Sequence, residues 1–158
     1  MRRIISIFRS AFPLVACVML ATGCKENSQQ QAEILLQQAR QQFEAGEYQQ
    51  AVTTIDSLRH AYPNAIDTRK QALHLYQEIE LKRAQEELAQ TDNLLQLVQH
   101  NYDSLQAKVE KDKAELRAMP EELTMLTRTR MKRDSLRTQC ETLGSKIRYI
   151  HKKQEDQP

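Results

Sequence analysis

Side chains able to carry chemistry are few in this chain and stand far apart. The four histidines, His60, His74, His100 and His151, are scattered singly. None pairs with a cysteine or another histidine at the close spacing a zinc site uses. Asp134-Ser135 sets a hydroxyl beside a carboxylate with no histidine nearby in a triad-like pattern. Chain order does not exclude a triad assembled in space, but long helices offer little concave pocket to hold one. Glycine occurs only as Gly23, Gly46 and Gly144, so no glycine-rich phosphate loop exists. These residues point away from an enzyme and imply no metal or organic cofactor. What remains is thiol chemistry, at Cys17, Cys24 and Cys140.

Arg2 and Arg3 open a basic segment, and Ala11 to Leu20 (AFPLVACVML) is an apolar run of signal-peptide length, too short to span a bilayer as a helix. Leu20-Ala21-Thr22-Gly23-Cys24 follows, and a polar stretch comes after it. Small residues ending in glycine before a cysteine resemble a bacterial lipobox, with the leucine one place earlier than usual. The resemblance implies cleavage before Cys24, acylation of its thiol, and stable attachment to a membrane, since several acyl chains anchor where one does not. An ordinary secretory signal with an incidental cysteine is the alternative. Lys25 rather than aspartate follows the cysteine, and the lipoprotein resemblance then implies the outer membrane. Cys17 would leave with residues 1–23. Cys140 would be left as a single thiol that forms no internal disulfide and sits on an apolar stripe, either buried or available for an intermolecular bridge.

Scarce glycine and abundant Gln, Glu, Leu, Arg and Lys fit long helices rather than a sheet. The strongest element is a heptad series. Leu81, Leu88, Leu95, Tyr102, Val109 and Leu116 form one row. Ala84, Thr91, Val98, Leu105, Asp112 and Met119 form the other, with Thr91 and Asp112 as polar faults. Such a seam is a coiled-coil signal and needs a partner helix. Ala118-Met119-Pro120-Glu121-Glu122 is a break: proline disfavours helix in the residue before it, suits a first helical position, and two glutamates complement a helix N-terminus. Beyond it Leu126, Thr129, Arg133, Leu136, Cys140, Leu143, Ile147 and Ile150 alternate steps of three and four. A hairpin turning near 118–121 covers both stripes. Pairing of the seam between chains, a homodimer, is the alternative.

Ahead of the seam, Lys25 to Gln31 reads as a flexible polar spacer. Ala39, Phe43, Gly46, Tyr48, Ala51, Ile55, Leu58 and Pro63 stand at spacings that resemble one tetratricopeptide repeat. Leu35, Ala39 and Phe43 would stripe its first helix, and Tyr48, Ala51, Ile55 and Leu58 its second. Gly46 permits the turn between them, and Tyr62-Pro63-Asn64 ends the pair. One repeat is not stable alone, so the next helix, with Ile66, Ala72, Leu73, Leu75 and Tyr76, is expected to pack on it. A lipid-anchored repeat of this kind resembles the tetratricopeptide lipoproteins of outer-membrane barrel assembly, over Cys24 and residues 32–76.

Without residues 1–23 the chain carries 20 basic against 21 acidic side chains, or −1. Bulk charge therefore gives no reason to expect nucleic acid, and no aromatic residues interleave with the cations to stack bases. Locally, residues 128–153 hold nine basic and two acidic residues (+7), while 85–110 hold five acidic and one basic (−4). Opposite charges beside a seam select register. The excess is either a solvated face balanced in this way or a surface for an anionic partner.

The sequence thus predicts an all-α protein: signal peptide 1–23, lipidated cysteine and tether 24–31, a tetratricopeptide-like helix pair at 32–80 continuing into an antiparallel coiled-coil hairpin at 81–154, and a tail at 155–158. The expected function is that of a non-catalytic envelope scaffold. It would be bound to the outer membrane through Cys24, facing periplasm or cell surface, and would contact envelope proteins through Phe43, Tyr48, Arg128, Arg130, Lys132 and Arg133. The alternative is a chaperone-like holdase using the basic hairpin.

Overall fold

The computed structural model describes residues 19–156, with side chains described from residue 27. The described chain is four helices and no strand: α1 (Met19–Glu44), α2 (Tyr48–Ala61), α3 (Ile66–Ala114) and α4 (Pro120–Glu155). It divides into two compact units between Ile79 and Glu80, within α3.

In the first unit, α1, α2 and the opening turns of α3 enclose an aliphatic core of Ala32, Leu36, Ala39, Ala51, Ile55, Leu58, Ala65, Ala72, Leu75 and Ile79. Ile55, Leu58 and Ile79 are fully buried. Alanines 32, 39, 51 and 72 are also fully buried, and their short side chains let helices approach closely. The stripe on α1 is Ala32, Leu36, Ala39 and Phe43, with Leu35 at its flank. Spacings of four, three and four follow a helix closely. Successive steps of four from Leu35 drift by about 40° each. On α3 the expected Ala72, Leu75 and Tyr76 pack on this core, whereas Ile66 and Leu73 face solvent.

The α1–α2 turn shows why Gly46 is there. Gly46 N–H donates to Phe43 O (2.9 Å) and Glu47 N–H to Gln42 O (2.8 Å), with Gly46 at φ 78°. This double bond pattern is a Schellman motif, which needs a left-handed residue at its centre. Thr54 Oγ1 then donates to Gln42 Oε1 (2.7 Å), tying α2 back to α1. Gln29 Nε2 donates to Thr68 Oγ1 (2.8 Å) and Arg40 Nη2 to Gln71 Oε1 (3.0 Å). These contacts rise together along α1 and α3, so the two helices run in the same sense. Residues 24–31, expected as a flexible spacer, are helical as the start of α1, and the Gln29–Thr68 bond draws part of them into the packing.

The second unit is the expected helical hairpin. Five a positions, Leu81 to Val109, and five d positions, Ala84 to Asp112, are all buried or half-buried in α3. So are all eight stripe residues of α4, from Leu126 to Ile150. Contacts at three levels hold the two helices antiparallel. Lys108 bonds Glu122 near the turn, Arg133 stacks on Tyr102 further on, and Lys146 reaches Glu80 at the far end (2.7 Å). The charge matching differs from expectation. Lys146–Glu80 has the expected sense, but Lys108–Glu122 has the opposite one. Asp92 and Asp103 accept from Gln96 and Gln99 on their own helix (2.7 Å each). Glutamine one helical turn away reaches a carboxylate without crossing the seam.

The turn also falls earlier than expected. Helix α3 ends at Ala114, so Leu116, expected in the seam, lies exposed in the connection together with Met119, which Pro120 was expected to keep out of helix. Leu116 N–H donates to Lys113 O (3.0 Å) and Arg117 N–H to Asp112 O (2.7 Å). This is the Schellman motif again, but with Leu116 at φ 58° where glycine is usual.

Candidate interaction surfaces

The first candidate surface is a groove in the first unit, of about 480 Å³, lined by Arg40, Phe43 and Glu44 of α1 and by Gln71, His74, Leu75 and Glu78 of α3. The helical period makes it. Residues 40, 43 and 44 share one face of α1, and 71, 74, 75 and 78 share one face of α3. Phe43 and the nearly buried Leu75 supply the apolar part. Arg40 is held by its bond to Gln71, and His74 Nδ1 lies 3.1 Å from Glu78 Oε1. Of the two aromatic candidates, only Phe43 lines the groove. Tyr48 sits against it, ring centroids 5.9 Å apart and planes tilted by 44°, and both rings pack on the core. Sequence reasoning missed Arg40, Gln71, His74 and Glu78. Their signal was the match between two helical faces, legible only once α1 and α3 are known to be neighbours.

The second surface lies on the hairpin, where the four basic candidates part company. Arg128 and Lys132, one turn apart, line a hollow of about 250 Å³ with Val98, Asn101 and Thr129. Arg128 also borders an adjacent hollow of about 360 Å³ formed with Pro120, Glu121, Thr124 and Met125. Arg130 points elsewhere, exposed, with Nε 3.8 Å from Asp134 Oδ2. Arg133 belongs to the seam: its side chain is 15% exposed and its guanidinium lies 4.2 Å from the Tyr102 ring centroid. Its Nε and Nη2 both donate to Asp134 Oδ1, at 2.9 and 2.7 Å. That bond raises the Arg133 pKa and holds the Asp134 carboxyl below its usual value. Arg133 is thus occupied in packing, while Arg128 and Lys132 face outward.

Glu122 is the one buried acid of α4. It bonds Lys108 across the hairpin, and its Oε2 accepts the Met119 N–H (3.3 Å), the return half of a capping box. Lys108 first, and the Met119 amide second, hold its carboxyl below the ordinary glutamate value. The same bond holds the Lys108 ammonium above its ordinary value.

Cys24 lies early in α1, where side chains are outside the described residues, and the signal segment up to residue 18 is outside them altogether. Cys140 is free and half-buried in the seam. Among the described residues no group of three or more metal-ligating side chains gathers, and no helix is long and apolar enough to cross a membrane.

Fold and surfaces together define an all-α protein built from a three-helix unit and a heptad-seamed hairpin, each with a concave side. No protein-family model matches the chain, and neither a curated protein nor a solved structure does.

Proposed function

We propose that this chain is a lipid-anchored scaffold of the bacterial cell envelope, held at the outer membrane through acylated Cys24, which gathers protein partners and performs no chemistry on them. The observation that carries this reading is the groove of Arg40, Phe43, Gln71, His74 and Leu75. It is concave, apolar at its base and rimmed by both signs of charge, which suits a peptide segment better than a small substrate. The turn chemistry at Gly46, the parallel run of α1 and α3 and the small-residue crossings support a tetratricopeptide-like unit, whose family role is protein recognition. The lipobox-like residues before Cys24 support the anchor.

Two measurements test it. Metabolic labelling with an alkyne fatty acid should mark the wild-type chain and leave Cys24→Ser unmarked; equal labelling of both removes the anchor. A photo-crosslinking residue at the exposed Gln71 should yield one or two discrete adducts near equal stoichiometry, and one at Gln49 on α2 should not. Many weak adducts, equal at both positions, would instead mean a holdase.

A further inference from the structure

The heptads assign every hairpin residue to a side, and the two sides differ. With Leu81 and Leu126 as a positions, the e and b places of α3 hold Gln85, Asp92, Gln99, Gln106 and Asp103, all polar. Their α4 counterparts include Arg130, Arg137, Asp134 and Glu141, with Leu123 (e), 39% exposed, as the one large apolar side chain near the turn. The g and c places are different. Leu94 (g) and Leu97 (c) on α3 and Met125 (g) on α4 are 40%, 58% and 56% exposed. Arg128 (c) and Lys132 (g) stand among them, and Val98, nearly buried, lies at the base of the hollow they line. The two hollows share Arg128; the second is lined by α4 alone and leads from it over the outward face of that helix towards Pro120. Three large apolar side chains left in water on this side of the seam, against Leu123 alone on the other, are the arrangement of a bundle that lacks a member.

We propose that the g/c side of the hairpin is a docking groove for one amphipathic helix of a partner protein, with its apolar stripe on Leu94, Leu97 and Met125 and an acidic flank on Arg128 and Lys132. Shape favours a helix: the hollow at Val98 is lined from both helices, a trough that receives a rod by ridges-into-grooves packing. Charge chooses the flank. Residues 128–132 hold three cations and no acid, and Arg130 turns to Asp134 on the other side. Arg128 and Lys132 are thereby left to a carboxylate from outside. The same charge disfavours a second copy of this chain, because a two-fold contact through this side brings Arg128 and Lys132 towards their own images. Residues 94 to 108 span about 21 Å at 1.5 Å each, room for two heptads of partner. This inference rests on the scaffold reading and names the kind of partner it would hold.

The probes are two labelled designed peptides of four heptads, both with leucine at a and d, one with glutamate and one with lysine at e and g. Each is titrated with the full mature chain in neutral detergent micelles and followed by fluorescence anisotropy. The glutamate peptide is expected to bind at least tenfold more tightly than the lysine peptide. Arg128→Glu with Lys132→Glu should reverse that preference. Leu97→Asp should weaken both, and Arg137→Glu, on the other side, should change neither. Circular dichroism on each variant separates lost binding from lost fold. Equal affinity for the two peptides, no binding of either, or an Arg137→Glu effect matching the double variant overturns the proposal. Adducts at Gln71 persisting in that case would leave the scaffold reading standing without this groove.

Discussion

Leu116 is where backbone geometry and residue type disagree, and Leu116→Gly tests the account of the turn. A non-glycine residue in the left-handed region costs about 1–2 kcal/mol. The Leu116 side chain is 95% exposed, so removing it forfeits almost no burial. Glycine adds unfolded-state freedom worth roughly 0.5–1 kcal/mol. The difference leaves a net gain of about 0–1.5 kcal/mol, provided both Schellman bonds, at Lys113 and Asp112, persist. For a unit of this size each half kcal/mol is a rise of roughly 2–4 °C in the hairpin's melting temperature. The assay is thermal and urea unfolding followed by circular dichroism. Gly46→Ala is the mirror experiment. Its φ is 78° and a Cβ there meets nothing within 4 Å, so the loss is purely conformational, about 1 kcal/mol. A hairpin destabilised by Leu116→Gly would refute the reasoning, because the leucine side chain would then be contributing something its exposure does not reveal.

Three further outcomes are expected. Gly144→Ala should stabilise α4 by about 1 kcal/mol in the same melts, since the nearest atom to an added Cβ is Arg148 Nη1 at 3.6 Å, an ordinary contact. A double-mutant cycle of Arg133→Ala and Tyr102→Leu should show a favourable coupling of about 0.5–2 kcal/mol, and zero coupling would mean the guanidinium and ring merely coincide. The Glu122–Lys108 pair sets a pH window. Glu122 is depressed, so its contribution is present above its ordinary value of 4.5 and fades as pH falls through the lowered one. Lys108 is raised, so its contribution is present below 10.5 and fades as pH climbs through the raised value. Glu122→Gln should flatten the acid limb of hairpin stability against pH; an unchanged acid limb would show that another group sets it.

Much of this fold is legible in the chain because periodicity is a local property. Leu81 to Val109 and Leu126 to Ile150 repeat at the spacing that places side chains on one helix face, and a face so apolar has to be covered. Every one of those positions is buried or half-buried. The role of Gly46 was equally legible, since a left-handed turn residue is a matter of backbone sterics at a single position. The hairpin, the α1–α2 turn and the stop after Ala61 were therefore determined by sequence alone.

Other features depend on which neighbours meet, and only tertiary structure decided them. Heptad spacing carried Leu116 into the seam, but the Schellman bonds close α3 at Ala114, and no glycine announces that end. Opposite net charges suggested that acids of α3 facing bases of α4 set the register of the hairpin. Side-chain reach instead sent Asp92 and Asp103 to glutamines one turn away and left Glu122 to hold Lys108. Periodicity already put Arg133 on the α4 stripe, but its partner there, the Tyr102 ring, was visible only in the structure and separates it from Arg128 and Lys132. The groove around Phe43 needed α3 beside α1, a pairing between residues some thirty positions apart, as Arg40 and Gln71 are. A one-dimensional pattern states which face of a helix must be covered; what covers it, and which polar side chains are left outside, follows from the packing of helices in space.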